Sequence, residues 1–125
     1  DFMGKKSTKA LFVAEYKRLE EIKEILQKKL SGVEYVFSSE YYMEILQEGV
    51  NKGSAVKKVL EESGVSKDEA MAFGDHWNDK EMLQYVKYGY LMGNAPENLK
   101  EVFDKEKIIA ANNEDGVAQI LEKLI

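Results

Sequence analysis

The chain has 125 residues, of which 44% are hydrophobic and 33% charged, and its net charge is −5. This length fits one domain or part of a larger protein. The absence of cysteine excludes disulfides and thiolate metal sites, and the absence of a basic stripe argues against a nucleic-acid surface. No apolar run approaches the roughly 20 residues of a membrane span, and residues 1–9 do not resemble a signal peptide. We therefore expect a cytoplasmic protein that does not bind membranes.

The first 50 residues have the pattern of a β-α-β-β unit. A short apolar run at 9–14 predicts a strand, and apolar residues at helical spacing predict a helix over 16–30 that ends at Ser31-Gly32. The β-rich runs 33–37 and 42–47 are separated by a short polar turn, which is typical of an antiparallel pair.

From Asn51 onward the sequence alternates between strand and helix patterns, so Asn51 is the predicted domain boundary. A helix over 52–63 is predicted to stop at Gly64, and Ser66 and Glu69 have the spacing of a capping box. The following predicted elements are strand 70–74, helix 78–86, strand 88–92, helix 96–103, strand 107–111 and helix 115–124. This alternation predicts an α/β fold with a parallel sheet and helices on both faces.

Polar residues gather where the predicted strands end. Ligands of such sheets bind beyond the carboxyl ends of the strands, which here means loops 75–78, 93–95 and 112–114, together with the helix start at 51–53. The Asp75 carboxylate suits a hard cation such as Mg²⁺, and Lys52 at a helix start favours a phosphate. Asn78 is a candidate phosphate ligand, and Asp79 either caps backbone N–H groups or orients a neighbouring side chain.

Simpler roles compete with these assignments. Asp79 fits an ordinary helix cap, and the single histidine, His76, is better explained as a loop residue than as a general base. Trp77 either packs the loop down or lines a substrate entrance. Asn94 and Asn113 are expected to hold loop backbones rather than bind a ligand.

Four segments, in this order and spacing, carry a family resemblance. They are NKGSAVKKVLEESGV, MAFGDHWNDKEML, YLMGNAPENLKEVFD and NNEDGVAQILEKLI. Together they resemble the C-terminal half of haloacid dehalogenase (HAD) superfamily phosphatases of the Cof type. The resemblance implies that residues 51–125 form the C-terminal half of a HAD-like, Rossmann-like core domain. It also implies that residues 1–50 form the last part of an α/β cap domain.

The resemblance further implies Mg²⁺-dependent hydrolysis of small phosphorylated metabolites, such as sugar phosphates, through an aspartyl-phosphate. In that scheme Lys52 is a catalytic, phosphate-stabilising lysine and Asp75 a catalytic, metal-binding acid. Asn78 contacts the phosphate, and Asp79 has a supporting role.

The sequence departs from the family pattern in one large respect. The family's nucleophile lies in a DxD motif after an apolar strand, and Asp1-Phe2-Met3 does not match that motif. We therefore expect a fragment of a longer phosphatase that is inactive alone, binds Mg²⁺ weakly and self-associates through uncovered strand edges. A non-catalytic binding or assembly module and a phosphomutase of the same superfamily remain the alternatives.

Overall fold

The computed structural model describes residues 4 and 7–124. The chain separates into two compact units, Asp1–Val50 and Asn51–Ile125. Within the described part of the chain, no helix combines the length and the apolar character needed to cross a membrane. The Asp1-Phe2-Met3 segment lies outside the described residues.

The first unit has the predicted β-α-β-β order. Its elements are β1 (Lys9–Val13), α1 (Tyr16–Gln27), β2 (Val33–Ser39) and β3 (Tyr42–Gln47). The strands form an antiparallel sheet in the order β1-β3-β2. Leu19 of α1 and Met43 of β3 are fully buried, so the core of this unit lies where the helix contacts the sheet. Helix α1 ends at Gln27 rather than at residue 30, because the chain tightens into a turn before Gly32, whose φ is +69°.

The second unit contains the parallel strands. Its elements are α2 (Lys52–Ser63), β4 (Met71–Gly74), α3 (Lys80–Tyr85), β5 (Tyr88–Leu91), α4 (Glu97–Lys100) and α5 (Gly116–Leu121). Strands β4 and β5 pair in parallel, with Gly74 opposite Leu91. The buried core comprises Ala72, Leu83, Val86, Leu91, Ala95 and Leu99. These parallel strands and helices confirm the α/β class.

The prediction of a strand over 107–111 was wrong. Only Ile108 forms a β-bridge, with Leu91, and the N–H of Ile109 donates to the Leu91 carbonyl at 2.9 Å. Tight 3₁₀ turns at Lys105–Lys107 and Asn112–Glu114 flank this segment. Residues 108–111 therefore lie beside β5 and are joined to it by one β-bridge rather than by a regular ladder.

Three predicted helices of the second unit are also shorter than expected. Helix α3 is preceded by a 3₁₀ turn at Trp77–Asp79, and α5 is followed by another at Glu122–Leu124. Beyond α4, the N–H groups of Val102 and Phe103 donate to carbonyls three residues back, which is the tighter 3₁₀ pattern.

Candidate functional site at the carboxyl ends of β4 and β5

Lys52 is the first residue of α2, and the preceding residue fixes that helix start. The Asn51 side chain accepts a hydrogen bond from the Ser54 N–H at 2.9 Å, and the Ser54 hydroxyl accepts from the Asn51 N–H at 3.0 Å. This reciprocal cap satisfies two backbone donors that a helix start otherwise leaves unpaired. The Asn-x-x-Ser spacing was visible in the sequence but was not recognised as a cap.

Gly53 lets α2 approach α3 closely. A Cβ atom at this position would lie 2.8 Å from the backbone carbon of Glu81, which is too close for any real side chain. The close contact brings the first turn of α2 next to the residues that precede α3. Lys52 is thereby placed beside Asp79.

Asp79 is the buried polar centre of the loop that follows β4. Its residue exposure is 4%, and its Oδ2 accepts hydrogen bonds from the N–H groups of Asp75 at 3.0 Å and His76 at 3.2 Å. A Cβ on Gly74 would lie 2.4 Å from the Cβ of Asp79. The missing side chain at residue 74 is therefore what allows the carboxylate to fold back under the loop.

The other oxygen of Asp79 pairs with Lys52. Lys52 Nζ donates to Asp79 Oδ1, while the lysine side chain remains 50% exposed. One buried carboxylate thus connects the start of α2 to the backbone of residues 75 and 76. This contact orients the Lys52 side chain, which is still half exposed to solvent.

Asp75 lies at the exposed rim and is linked to two further loops. Its Oδ2 accepts from Asn94 Nδ2 at 3.0 Å, and Asn94 Oδ1 accepts from the Asn112 N–H at 3.0 Å. Asn94 follows β5 and Asn112 follows the bridge at Ile108, so one amide side chain joins three loops. Within the described part of the chain, Asp75 Oδ1 makes no hydrogen bond.

The remaining loop residues differ in their surroundings. Asn78 is half-buried, and among the described residues neither its Oδ1 nor His76 Nδ1 has a hydrogen-bond partner. Buried polar atoms of this kind normally have a partner, so Asn78 is suited to receive one from a ligand or water. Trp77 packs against the core of the unit, and Lys80 Nζ lies 5.8 Å from the centroid of its ring.

The oxygen donors at this edge fit part of a Mg²⁺ coordination shell. Mg²⁺ is commonly held by one or two carboxylates, with waters and substrate phosphate completing the octahedron. Asp75 offers one carboxylate with an unbonded oxygen at the rim. Among the residues that the structure describes, no group of three or more His, Cys, Asp or Glu side chains forms a complete metal site. The described residues therefore supply only part of a Mg²⁺ coordination shell.

Comparison with known proteins assigns the family. The sequence model of the haloacid dehalogenase-like hydrolase family matches residues 1–121, so the chain belongs to this family. An HMP-PP phosphatase of Yersinia pseudotuberculosis is 39% identical over 114 residues, which are 90% of this chain and 42% of the relative. The chain thus spans less than half the length of this curated relative.

Solved structures show the same relationship. A haloacid dehalogenase-like hydrolase from Bacteroides thetaiotaomicron is 31% identical with a TM-score of 0.80, and the match covers 100% of this chain and 48% of that protein. Another from B. subtilis is 28% identical with a TM-score of 0.80, covering 99% and 44% of the two chains. The family resemblance inferred from the four sequence segments is confirmed.

Proposed function

We propose that the complete protein containing this sequence is a Mg²⁺-dependent phosphatase that hydrolyses small phosphorylated metabolites through an aspartyl-phosphate. The observation that carries the proposal is the arrangement of Lys52, Asp75 and Asp79 at one edge of the sheet. The Yersinia relative named HMP-PP phosphatase supports a phosphorylated small molecule as substrate. Sugar phosphates belong to the same chemical class and share the group that the site would bind.

Lys52 is proposed to stabilise the phosphoryl group electrostatically. Its ammonium lies at the N-terminus of a 12-residue helix, where the helix dipole also favours negative charge. The contact with the buried Asp79 orients the ammonium before substrate binds, so little reorganisation is needed when charge develops on the phosphoryl oxygens. Asp79 thus acts through Lys52 and through the backbone of residues 75 and 76.

Asp75 is proposed to hold the Mg²⁺ ion through Oδ1, and Asn78 to contact the phosphate. When bound, Mg²⁺ would neutralise charge on the phosphoryl oxygens. Asn78 Oδ1 has no partner among the described residues, and a half-turn of the amide group presents Nδ2 as a donor to a phosphate oxygen instead. Neither Asp75 nor Asn78 is the nucleophile in this proposal.

We infer that the nucleophile and general acid belong to a part of the protein outside this sequence. Two observations support this: the sequence contains no DxD motif, and it spans 42% of its Yersinia relative. In this proposal residues 51–125 supply the C-terminal half of the core domain and residues 1–50 the end of the cap. The 125-residue chain alone is then inactive, and its uncovered edges favour self-association.

The proposal is tested by replacing the lysine in the full-length protein. Lys52→Met should lower kcat for p-nitrophenyl phosphate at least about 100-fold, because a preorganised charge at the phosphoryl group is lost. Lys57→Met is the matched control, since Lys57 lies in the same helix and contacts only Glu61 at 3.9 Å among the described ion pairs. Equal activity of the two variants would refute the assigned role of Lys52.

Product analysis separates the alternative functions. A phosphatase releases inorganic phosphate from the substrate, and EDTA should stop the release while excess Mg²⁺ restores it. Migration of phosphate within the substrate, without release, would identify a phosphomutase. Absence of both activities across a panel of HMP-PP and sugar phosphates would favour the binding or assembly module.

A further inference from the structure

We propose that Asn94 is a positioning residue for the reaction, which fixes the Asp75 carboxylate so that Oδ1 stays directed toward the bound cation. This inference rests on the phosphatase function proposed above and adds a residue to it. Asn94 Nδ2 donates to Asp75 Oδ2, and Asn94 Oδ1 accepts from the Asn112 N–H, each at 3.0 Å.

The orientation of the Asn94 amide is determined by its two partners. A backbone N–H can only donate and an ionised carboxylate can only accept, so Oδ1 must face Asn112 and Nδ2 must face Asp75. Exchange of the two amide atoms would place donor against donor and acceptor against acceptor. The side chain is therefore held in one orientation by chemistry on both sides.

The backbone around Asn94 is anchored independently of its side chain. The Met92 N–H donates to the Gly74 carbonyl at 2.9 Å, directly before Asp75, and the Ala95 N–H donates to the Met92 carbonyl at 3.0 Å. Met92 and Ala95 are both buried. An amide on an anchored turn can hold an exposed carboxylate, because little entropy is lost when the hydrogen bond forms.

The consequence concerns the two oxygens of Asp75. Occupation of Oδ2 by Asn94 leaves Oδ1 as the oxygen without a hydrogen bond in the described structure. Groups that orient a metal ligand typically change metal affinity or activity by about 10–100-fold when they are removed. Asn94 would thus act on the cation through Asp75, with no direct contact to the substrate.

The test compares Asn94→Ala with Asn113→Ala in the full-length protein. The control removes the same side chain from an exposed residue of loop 112–114. Among the described residues the Asn113 side chain makes no hydrogen bond, and the Asn113 backbone N–H donates to Asn112 Oδ1. Asn94→Ala should weaken Mn²⁺ binding, measured by calorimetry without substrate, at least about tenfold. It should also lower kcat and leave KM for p-nitrophenyl phosphate unchanged. Mn²⁺ affinity equal to that of Asn113→Ala would overturn the inference.

A second measurement uses the unmodified protein, so it does not depend on the variant folding. The side-chain NH₂ signals of Asn94 in a ¹⁵N spectrum should shift on addition of Mg²⁺, whereas those of Asn98, an exposed residue of α4, should stay constant. Unchanged Asn94 signals at saturating Mg²⁺ would overturn the inference.

Failure of this inference is distinguishable from failure of the proposed function. If Asp75→Asn removes Mg²⁺-stimulated hydrolysis but Asn94→Ala behaves like its control, the phosphatase assignment stands and the positioning role of Asn94 is wrong. If Asp75→Asn keeps wild-type activity, the function on which the inference rests is wrong.

Discussion

Replacement of Asp79 by asparagine should separate the two contacts of its carboxylate. The amide has one acceptor oxygen, so it cannot accept from both the loop N–H groups and Lys52. Two unpaired N–H groups in this part-buried loop would cost about 1–3 kcal/mol each, whereas a half-exposed lysine can return to water for about 1 kcal/mol or less. The amide oxygen should therefore stay with residues 75 and 76, and Lys52 should be released.

The expected loss of unfolding free energy is about 1 kcal/mol or less for Asp79→Asn, since mainly the partly exposed ion pair is lost. Asp79→Ala also leaves the N–H groups of residues 75 and 76 unpaired, so it should cost at least about 2 kcal/mol more than Asp79→Asn. Trp77 is the single tryptophan and packs on the core of the second unit, so its fluorescence in a urea titration reports the unfolding of that unit. Asp104→Asn removes the same charge from an exposed residue without a side-chain cap bond and should change stability little.

Two results would contradict this reasoning. If Asp79→Asn is as stable as Asp104→Asn, the ion pair with Lys52 contributes nothing measurable. If Asp79→Ala loses no more than Asp79→Asn, the hydrogen bonds to the loop backbone are not what holds residues 75 and 76.

Two glycine substitutions test the close contacts around the site. Gly74→Ala would place a Cβ 2.4 Å from Asp79 Cβ and should cost about 2–3 kcal/mol by urea titration, so a neutral result would contradict the packing described. Gly53→Ala meets the backbone of Glu81 at 2.8 Å, and we expect a loss of about 1–3 kcal/mol as α2 moves away from α3. In the full-length protein Gly53→Ala should also lower kcat, because Lys52 moves with the helix. Unchanged kcat would show that the spacing of α2 and α3 does not determine the position of the Lys52 ammonium.

Much of the local structure was predictable because single residues determine it. Gly64 ends α2 in a left-handed conformation with φ of +68°, as its position after the helical pattern predicted. Ser66 and Glu69 form the predicted capping box. The Ser66 hydroxyl accepts a hydrogen bond from the Asp68 N–H at 3.2 Å, and the Ser66 N–H donates to the Glu69 carboxylate at 3.1 Å. These features depend on residues within a few positions of one another, and the sequence shows such spacing directly.

Features that depend on distant partners were harder to predict. The run 107–111 has the composition of a strand, but in the described structure it forms a single β-bridge, between Ile108 and Leu91. The link from Asn94 to Asp75 and Asn112 joins residues 19 and 18 positions apart, and nothing in the local sequence marks it. Asn94 was correctly expected to hold a loop backbone, and its second bond, to Asp75, was missed.

The most direct test of the account is the Mg²⁺ dependence of phosphate release by the full-length protein and its Asp75→Asn variant. Asp104→Asn is again the charge-matched control. We predict that Mg²⁺ stimulates hydrolysis of p-nitrophenyl phosphate by the wild type and by Asp104→Asn, and that Asp75→Asn shows no Mg²⁺-stimulated hydrolysis. Wild-type activity of Asp75→Asn at the same Mg²⁺ concentration would contradict the central claim that this edge of the sheet is part of a metal-dependent phosphatase site.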